Sequence, residues 1–305
     1  MLGRIALVVV GTLVSGLLTA PAGEADDTAA KRPVYAIAHG VNSPAALHRA
    51  VAAGANGVEI DICANWERRD RPAWYFDHDC KGSTRERAVA RMFEEIVALD
   101  PATRPLLVWL DIKTPDKCRK AEAPCSTRGL ARQAKTLTNA GVQVLYDLTS
   151  KDYDKNKETL RGPGYRNLAP NISATDENGV PLEGVGFWGD TEHALAAFRK
   201  ANVPPGQRVL EVGDCGSIYR EEVKGDVETG AAERDKPNPG LAAVLVWTMY
   251  AKGYPECDEV LGPIDGIIAG NHDFGKNAED AATLRWVTEG SGNELARPGH
   301  RLFRK

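Results

Sequence analysis

The sequence lacks several features that would place it in a specialised class of protein. Lys and Arg number 38 against 42 Asp and Glu, so the basic excess that nucleic-acid-binding proteins carry is missing. There is no clear internal repeat, and nothing in the composition indicates a disordered or fibrous chain. With 305 residues, 43% of them hydrophobic, the chain is long enough to bury a large core. We therefore expect a globular protein that does not bind nucleic acid.

The N-terminal apolar run is too short to be a typical membrane span. It extends from Ile5 to Leu18, follows the single charge of Arg4, and precedes small residues at Ala20 and Ala22. A spanning helix needs about 20 apolar residues. We interpret residues 1–22 as a secretory signal peptide, with a membrane anchor as the alternative. Residues 23–33 are then an exposed leader, residues 34–305 form the functional domain, and the protein is secreted.

All six cysteines follow the predicted signal peptide, and an even number in an exported chain favours disulfides. Spacing alone does not fix the pairing, because six cysteines allow about 15 arrangements. A zinc site built from Cys63, His78 and Cys80 is the alternative. The pairing that we expect is Cys63–Cys80, Cys118–Cys125 and Cys215–Cys257.

Acidic side chains lie inside two apolar runs that are typical of buried strands. In residues 57–63, Glu59 and Asp61 point to the same side because strand side chains alternate. In residues 106–113, Asp111 and Lys113 do the same, and the run 34–38 leads directly into His39. A buried, unpaired carboxylate is costly, so we expect a metal ion or a cationic side chain beside these acids. Internal ion pairs, such as Asp111 with Lys113, are the purely structural alternative.

The whole chain alternates strand-like and helical segments. Helices are predicted at 44–53, 83–99 and 126–139, whereas 161–181 is rich in Gly, Pro and Asn and is predicted to be a loop. This alternation favours a closed (β/α)8 TIM barrel in a single domain over an open doubly wound sheet. In such a barrel the active site lies at the C-terminal ends of the strands. The predicted strands are 34–38, 57–63, 106–113, 142–146, 184–188, 208–212, 242–248 and 264–269.

Four short motifs resemble the sphingomyelinase D and phospholipase D family. They are Ala-His-Gly-Val-Asn at 38–42, Gly-Val-Glu-Ile-Asp at 57–61, a histidine at 78, and Leu-Asp-Ile-Lys-Thr at 110–114. The family includes spider-venom enzymes with bacterial and fungal relatives, and it is similar in fold to glycerophosphodiester phosphodiesterases. Further along the chain the resemblance is thinner and rests on residues 245–248 and 266–271.

The resemblance implies a role for eight residues. Carboxylates supply the oxygen ligands that Mg²⁺ prefers, and imidazoles can donate or accept a proton near neutral pH. We expect the first histidine to be the base or nucleophile and the second the general acid. The implied sites are magnesium ligands at Glu59, Asp61 and Asp111, catalytic residues at His39 and His78, and substrate contacts from Lys113, Trp247 and Asn271.

The expected activity is that of a secreted, Mg²⁺-dependent phospholipase D. The resemblance implies release of choline from sphingomyelin or lysophosphatidylcholine at a membrane or micelle surface, with a cyclic phosphate as one candidate product and no obligate protein partner. One alternative is a glycerophosphodiester phosphodiesterase that acts on small soluble diesters. Another is a non-catalytic protein that binds lipid surfaces through Trp66, Arg68, Arg69 and Arg71.

Two departures from the family pattern bear on head-group choice more than on the metal site. The venom enzymes have a cysteine-rich loop after the second histidine, whereas residues 79–84 hold one cysteine. Many relatives end in an Asp-Asn-Pro-Trp type of tail that plugs the barrel, and residues 299–305 do not contain it. Asp77 and Asp79, on either side of His78, are expected to be solvated loop charges.

Overall fold

A computed structural model describes residues 33–67, 70–82, 84–148, 160, 162–213, 220–249, 262–271, 273–290 and 293–305. These residues belong to one compact unit, Lys31–Lys305. The predicted signal peptide, nearly all of the leader and the expected Cys215–Cys257 bridge lie outside the described residues. In the part of the chain that is described, no helix combines the length and the apolar character needed to cross a bilayer.

The described strands are β1 (Pro33–Ala38), β2 (Gly57–Ala64), β3 (Trp74–Phe76), β4 (Leu107–Ile112), β5 (Gln143–Asp147), β6 (Glu183–Trp188), β7 (Arg208–Val212), β8 (Ala243–Met249), β9 (Gly266–Ala269) and β10 (Glu294–Leu295). Eight of them form a closed parallel barrel in the order β1, β2, β4, β5, β6, β7, β8, β9, and β1 pairs with both β2 and β9. The TIM barrel prediction is confirmed. Of the two additional strands, β3 runs antiparallel to the end of β2 and β10 pairs with β1.

The described helices are α1 (Pro44–Ala52), α2 (Val89–Ala98), α3 (Thr127–Thr138), α4 (Pro163–Leu168), α5 (Thr191–Ala201), α6 (Arg220–Arg234) and α7 (Ala278–Arg285). Local sequence sets their starts. In α1, Ser43 Oγ accepts a hydrogen bond from the backbone N–H of Ala46 at 3.1 Å, and Pro44 occupies the first turn. These features were predicted from the sequence.

Two helices differ from the prediction, one in where it begins and one in being present at all. The second helix begins at Val89 instead of residue 83, because Ala88 forms an antiparallel bridge with Tyr75 and the Arg87 carbonyl accepts the N–H of Phe76. The predicted loop 161–181 contains α4. That helix is stabilised from outside its own sequence, since Asp116 accepts the N–H of Gly164 at 2.7 Å.

Buried side chains form two layers, one on each side of the barrel wall. Because strand side chains alternate, Tyr35 and Ile37 of β1 pack with Trp109 inside the barrel, whereas Ala36 and its outward-facing neighbours pack against Leu47 and other helical residues. The inner layer is apolar toward the N-terminal ends of the strands. Toward the C-terminal ends it gives way to ionisable groups.

The C-terminal tail fills the N-terminal end of the barrel. Phe303 is buried and lies against Gly184, where a Cβ atom would come within 2.1 Å of the ring. The backbone N–H of Leu302 donates to Gln143 Oε1 at 2.7 Å, and the Gln143 amide donates to the Tyr35 hydroxyl at 2.9 Å. A Leu-Phe pair therefore fills this end of the barrel.

Candidate active site

His39 lies at the point where β1 ends and is 5% exposed. Its Nδ1 is 2.9 Å from the carbonyl oxygen of Gly270, which follows β9. Because a carbonyl can only accept, Nδ1 carries the proton, and in the neutral imidazole Nε2 then holds the lone pair. This histidine is therefore suited to accept a proton at Nε2.

Glu59 and Asp61 project from β2 on the same side, as their spacing predicts, and both are almost fully buried. The turn after His39 contacts each of them. The N–H of Gly40 donates to Glu59 Oε2 at 2.6 Å, and the side-chain amide of Asn42 donates to Asp61 Oδ2 at 2.6 Å. Strand pairing places Asp61 directly beside Asp111 of β4. Three carboxylates of two neighbouring strands are thus brought together.

Lys113, two residues after Asp111, supplies a positive charge to this cluster. Its Nζ lies 2.5 Å from Asp61 Oδ1 and also contacts an oxygen of Asp111. The ion-pair alternative is thus partly realised. It does not account for Glu59, whose buried Oε1 has no hydrogen-bond partner among the described residues.

The pKa values reflect three acids that share one nearby ammonium. Burial, together with the charges of Asp61 and Asp111, raises the pKa of Glu59 well above its usual range. Burial likewise raises the pKa of Asp111 to about 7, with help from the Asp147 charge and against the opposing effect of Lys113. For Asp61, burial acts upward, but Lys113 and the Asn42 hydrogen bond outweigh it and lower the pKa. Without a further positive charge, the folded protein therefore opposes the ionisation of Glu59 and Asp111.

The residue types and spacing fit a divalent cation. One oxygen from each of Glu59, Asp61 and Asp111 lies within 4.8 Å of the other two. All three donors are hard oxygens, and Mg²⁺ binds such donors in proteins. The unpartnered Glu59 oxygen would also coordinate such an ion. The predicted metal-binding residues are consistent with such a site, and Mg²⁺ itself belongs to the proposal below.

His78 is brought to the same end of the barrel by β3 and a disulfide. The N–H of Asp77, just before it, donates to the backbone carbonyl of Asp61 at 3.0 Å. Cys80, two residues after it, forms a disulfide with Cys63 at the end of β2. The His78 side chain is 39% exposed, and its Nδ1 lies 3.0 Å from Asp79. Both catalytic candidates therefore flank the carboxylate cluster.

The second predicted bridge, Cys118–Cys125, is also present. Every cysteine in the described part of the chain is oxidised to a disulfide, so the zinc alternative for Cys63, His78 and Cys80 is wrong. A disulfide sulfur has no thiolate to offer a metal ion.

Asp77 was expected to be a solvated charge, and that expectation is wrong. Its side chain is 12% exposed and organises the loop that carries His78. One oxygen accepts the backbone N–H groups of Lys81 and Gly82, at 3.1 and 2.6 Å, and Arg87 pairs with the same carboxylate at 3.2 Å. Asp79, by contrast, is 54% exposed as expected.

Two of the predicted substrate contacts, Trp247 and Asn271, lie on or after strands other than those that carry the three acids. Trp247 of β8 packs edge to face against Trp188 of β6, with ring centroids 6.2 Å apart. Asn271 follows β9, and its side-chain amide donates to the buried Asp280 at 2.8 Å. Its amide nitrogen thus anchors the loop to α7.

Sequence reasoning missed two further acids on barrel strands. Asp147 pairs in register with Asp111, and Glu211 is fully buried on β7 in register with Trp188. A signal for Glu211 was present, since it interrupts the apolar run Val-Leu-Glu-Val in the way that Glu59 interrupts its own strand. Asp147 was missed because the predicted strand stopped one residue too early.

Comparisons with known proteins identify the family of this chain. A model of the family Sphingomyelinase D/Phospholipase D matches residues 29–290. The sphingomyelinase D of Aspergillus flavus is 32% identical over 253 residues, which cover 79% of this chain and 78% of that protein. The sphingomyelinase D of Ajellomyces capsulatus is 30% identical over 268 residues, with 79% and 77% covered.

Among solved structures, one from Silicibacter pomeroyi, provisionally described as a glycerophosphoryl diester phosphodiesterase, aligns with a TM-score of 0.46 and 11% identity. The alignment covers 83% of this chain and 95% of that one. The family match spans most of the present sequence, including every predicted site residue. The chain therefore belongs to the sphingomyelinase D/phospholipase D family and is a phosphodiesterase of the phospholipase D type.

Proposed function

We propose that the protein is a Mg²⁺-dependent phospholipase D that releases choline from sphingomyelin, lysophosphatidylcholine or both. The observation that carries the proposal is the convergence of Glu59, Asp61 and Asp111 at the barrel end where His39 and His78 lie. The curated relatives named above are sphingomyelinases D, which supports this choice of lipid class.

The metal site is assigned to Glu59, Asp61 and Asp111. The raised pKa values of Glu59 and Asp111 support the assignment, because they mark carboxylates that gain from a further positive charge. A bound Mg²⁺ ion supplies that charge and offsets the charge on the substrate phosphate. Lys113 contributes a second positive group and is assigned to a phosphate oxygen.

The two histidines are assigned to the proton transfers. His39, through Nε2, removes the proton from a substrate hydroxyl, whose oxygen then bonds to phosphorus. The bond from phosphorus to the choline oxygen breaks, and His78 donates a proton to that oxygen. One proton is taken up and one released, and the products are choline and a cyclic phosphate. If water replaces the substrate hydroxyl, the same transfers yield an ordinary phosphomonoester.

The remaining contacts concern the lipid. Trp247, packed on Trp188, is assigned to the wall of the substrate pocket, and Asn271 offers its carbonyl oxygen to the substrate while Asp280 holds its nitrogen. Indole rings suit a quaternary ammonium group because they attract cations over their faces.

The substrate is proposed to be taken from a membrane or micelle surface. Trp66 follows β2 at the barrel end that holds the acids and is 45% exposed, with Lys117 Nζ 5.2 Å from its ring centre. Amphipathic indole rings favour lipid interfaces. We expect Trp66→Ala to raise KM for micellar lipid without changing turnover of soluble glycerophosphocholine. Equal effects on both substrates would contradict this role.

Secretion is part of the proposal and is supported by the two disulfides, which form in oxidising compartments. N-terminal sequencing of the protein recovered from culture medium tests it. Material that begins shortly after residue 22 would agree with the predicted signal peptide, and retention of Met1 would contradict it.

Phosphorus NMR of the products tests the reaction. Sphingomyelin, lysophosphatidylcholine and glycerophosphocholine are each incubated with enzyme in Mg²⁺, in chelator, and in chelator followed by excess Mg²⁺. We expect choline release from the micellar lipids only with Mg²⁺, and the phosphorus shift separates a cyclic from an open phosphate. His39→Asn and His78→Asn should each lower kcat by at least about 100-fold. The matched control is His48→Asn, since His48 is exposed on α1.

Two results would overturn the proposal. Turnover that persists in chelator would remove the metal from the reaction. Preferential cleavage of glycerophosphocholine would instead favour the glycerophosphodiester phosphodiesterase alternative.

A further inference from the structure

The turn between β1 and α1 holds each acid of β2 by one oxygen. Gly40 donates its backbone N–H to Glu59 Oε2, and Asn42 donates its side-chain amide to Asp61 Oδ2, both at 2.6 Å. The second oxygen of each carboxylate is not held by the turn, and Glu59 Oε1 has no hydrogen-bond partner among the described residues. For Asp61 the second oxygen is Oδ1, which lies 2.5 Å from Lys113 Nζ. The turn thus selects which oxygen of each acid is presented to a cation.

Asn42 differs from Gly40 because its side chain is fixed at both ends. Its Oδ1 accepts the backbone N–H of Asp61 at 3.1 Å, while its Nδ2 donates to the carboxylate of the same residue. An amide has one accepting and one donating end. Because the accepting end is taken by a backbone N–H, the donating end must face the carboxylate. Neither Asp nor Leu at this position would reproduce both contacts.

We infer that Asn42 is a positioning residue that orients Asp61 for metal binding. The inference rests on the proposed function, since it presupposes a cation at the cluster. Hydrogen bonds that orient ligating side chains typically change metal affinity by about 10- to 100-fold when they are removed. Replacing Asn42 should therefore weaken metal binding even though the ligating carboxylate of Asp61 is still present.

Two substitutions separate the contributions of the two contacts. Asn42→Asp keeps the size and the acceptor but replaces the donor, so two acceptors then oppose each other. Asn42→Leu is similar in size and loses both hydrogen bonds. Asn56 provides the matched control: it accepts the N–H of Ala36 at 2.7 Å and donates to the Ala296 carbonyl at 2.9 Å, near the C-terminal tail.

The readout is Mg²⁺ binding to the full chain, measured by isothermal titration calorimetry and checked with Mn²⁺ by electron paramagnetic resonance. We expect both Asn42 variants to raise the dissociation constant by about tenfold or more. Their kcat should recover at saturating Mg²⁺. Asn56→Asp and Asn56→Leu should lower the melting temperature and leave the dissociation constant unchanged.

The outcomes distinguish this inference from the proposed function. If the wild-type protein binds no Mg²⁺, the proposed metal site fails. If the wild type binds Mg²⁺ and both Asn42 variants bind it equally well, Asn42 does not position the ligand and the inference is overturned. Should Asn42→Leu not fold, Asn42→Asp decides alone. If neither folds, Asn42 serves the fold and the inference is again overturned.

Discussion

Loss of the proton from Asp111 should make the metal-free protein less stable as the pH rises. Its pKa is raised to about 7 from the ordinary 3.8, first by burial and then by the neighbouring charges of Asp147 and Asp61. A proton held by the folded chain but not by the unfolded one stabilises the fold. This stabilisation is fully present below about pH 4 and is lost as the pH rises toward 7.

The size of the effect follows from the pKa. Between pH 5 and pH 7 the folded state gives up its advantage at about 1.4 kcal/mol per pH unit, which sets an upper limit of about 2.7 kcal/mol. The Asp111 side chain is 27% exposed, so solvent screens part of this. We expect a loss of about 1–2 kcal/mol in the free energy of unfolding between about pH 5 and pH 8.

The assay is urea unfolding at both pH values, in chelator and in saturating Mg²⁺, for the wild type and Asp111→Asn. The loss should appear in the metal-free wild type, shrink in Asp111→Asn, and shrink with Mg²⁺. Asp273→Asn, which alters an exposed acid paired with Lys276, is the control and should behave as the wild type. A wild-type stability that is level or rises with pH relative to Asp111→Asn would refute the reasoning.

Two further predictions concern the opposite end of the barrel and the His78 loop. Phe303→Ala should lower the free energy of unfolding by about 3–5 kcal/mol, because it empties the barrel plug, and kcat of the folded protein should not change. A fall in kcat without a fall in stability would contradict this. Asp77→Ala should lower kcat by about 10- to 100-fold by releasing the loop that carries His78. The control is Asp176→Ala, because Asp176 organises a different loop, away from the acids, by accepting the N–H groups of Asn178 and Val180 at 2.9 Å. An equal loss of kcat in both variants would count against the role of Asp77.

The barrel and its acid cluster were predictable because both depend on short-range pattern. An apolar run interrupted by Glu59 and Asp61 predicts a buried strand with one polar side. Parallel strands then bring such residues to one barrel end without knowledge of any specific contact. The pairing of Asp61 with Asp111 follows from register, which a sequence does not display.

What the sequence did not reveal depends on contacts between distant segments. Asp77 looks like any loop acid until Arg87 and the N–H of Gly82 are placed beside it. The same holds for α4, whose Gly-rich and Pro-rich sequence predicts a loop until Asp116 accepts the N–H of Gly164 in its first turn. Asn42 lay within a recognised motif, but its two hydrogen bonds to Asp61 give it a role only in three dimensions.

The two ends of the barrel interior explain why the chain tolerates three acids in its wall. Near the tail, apolar packing around Phe303 stabilises the fold, while the charged end costs stability whenever Glu59 and Asp111 are both ionised without a metal ion. A ligand present at about 100 times its dissociation constant stabilises a protein by about 2.7 kcal/mol. That figure is similar to the upper limit for the stability lost between pH 5 and pH 7 as Asp111 ionises. Metal binding can therefore offset much of the stability that ionisation of Asp111 removes in this pH range, and the protein should be most sensitive to chelation above neutral pH.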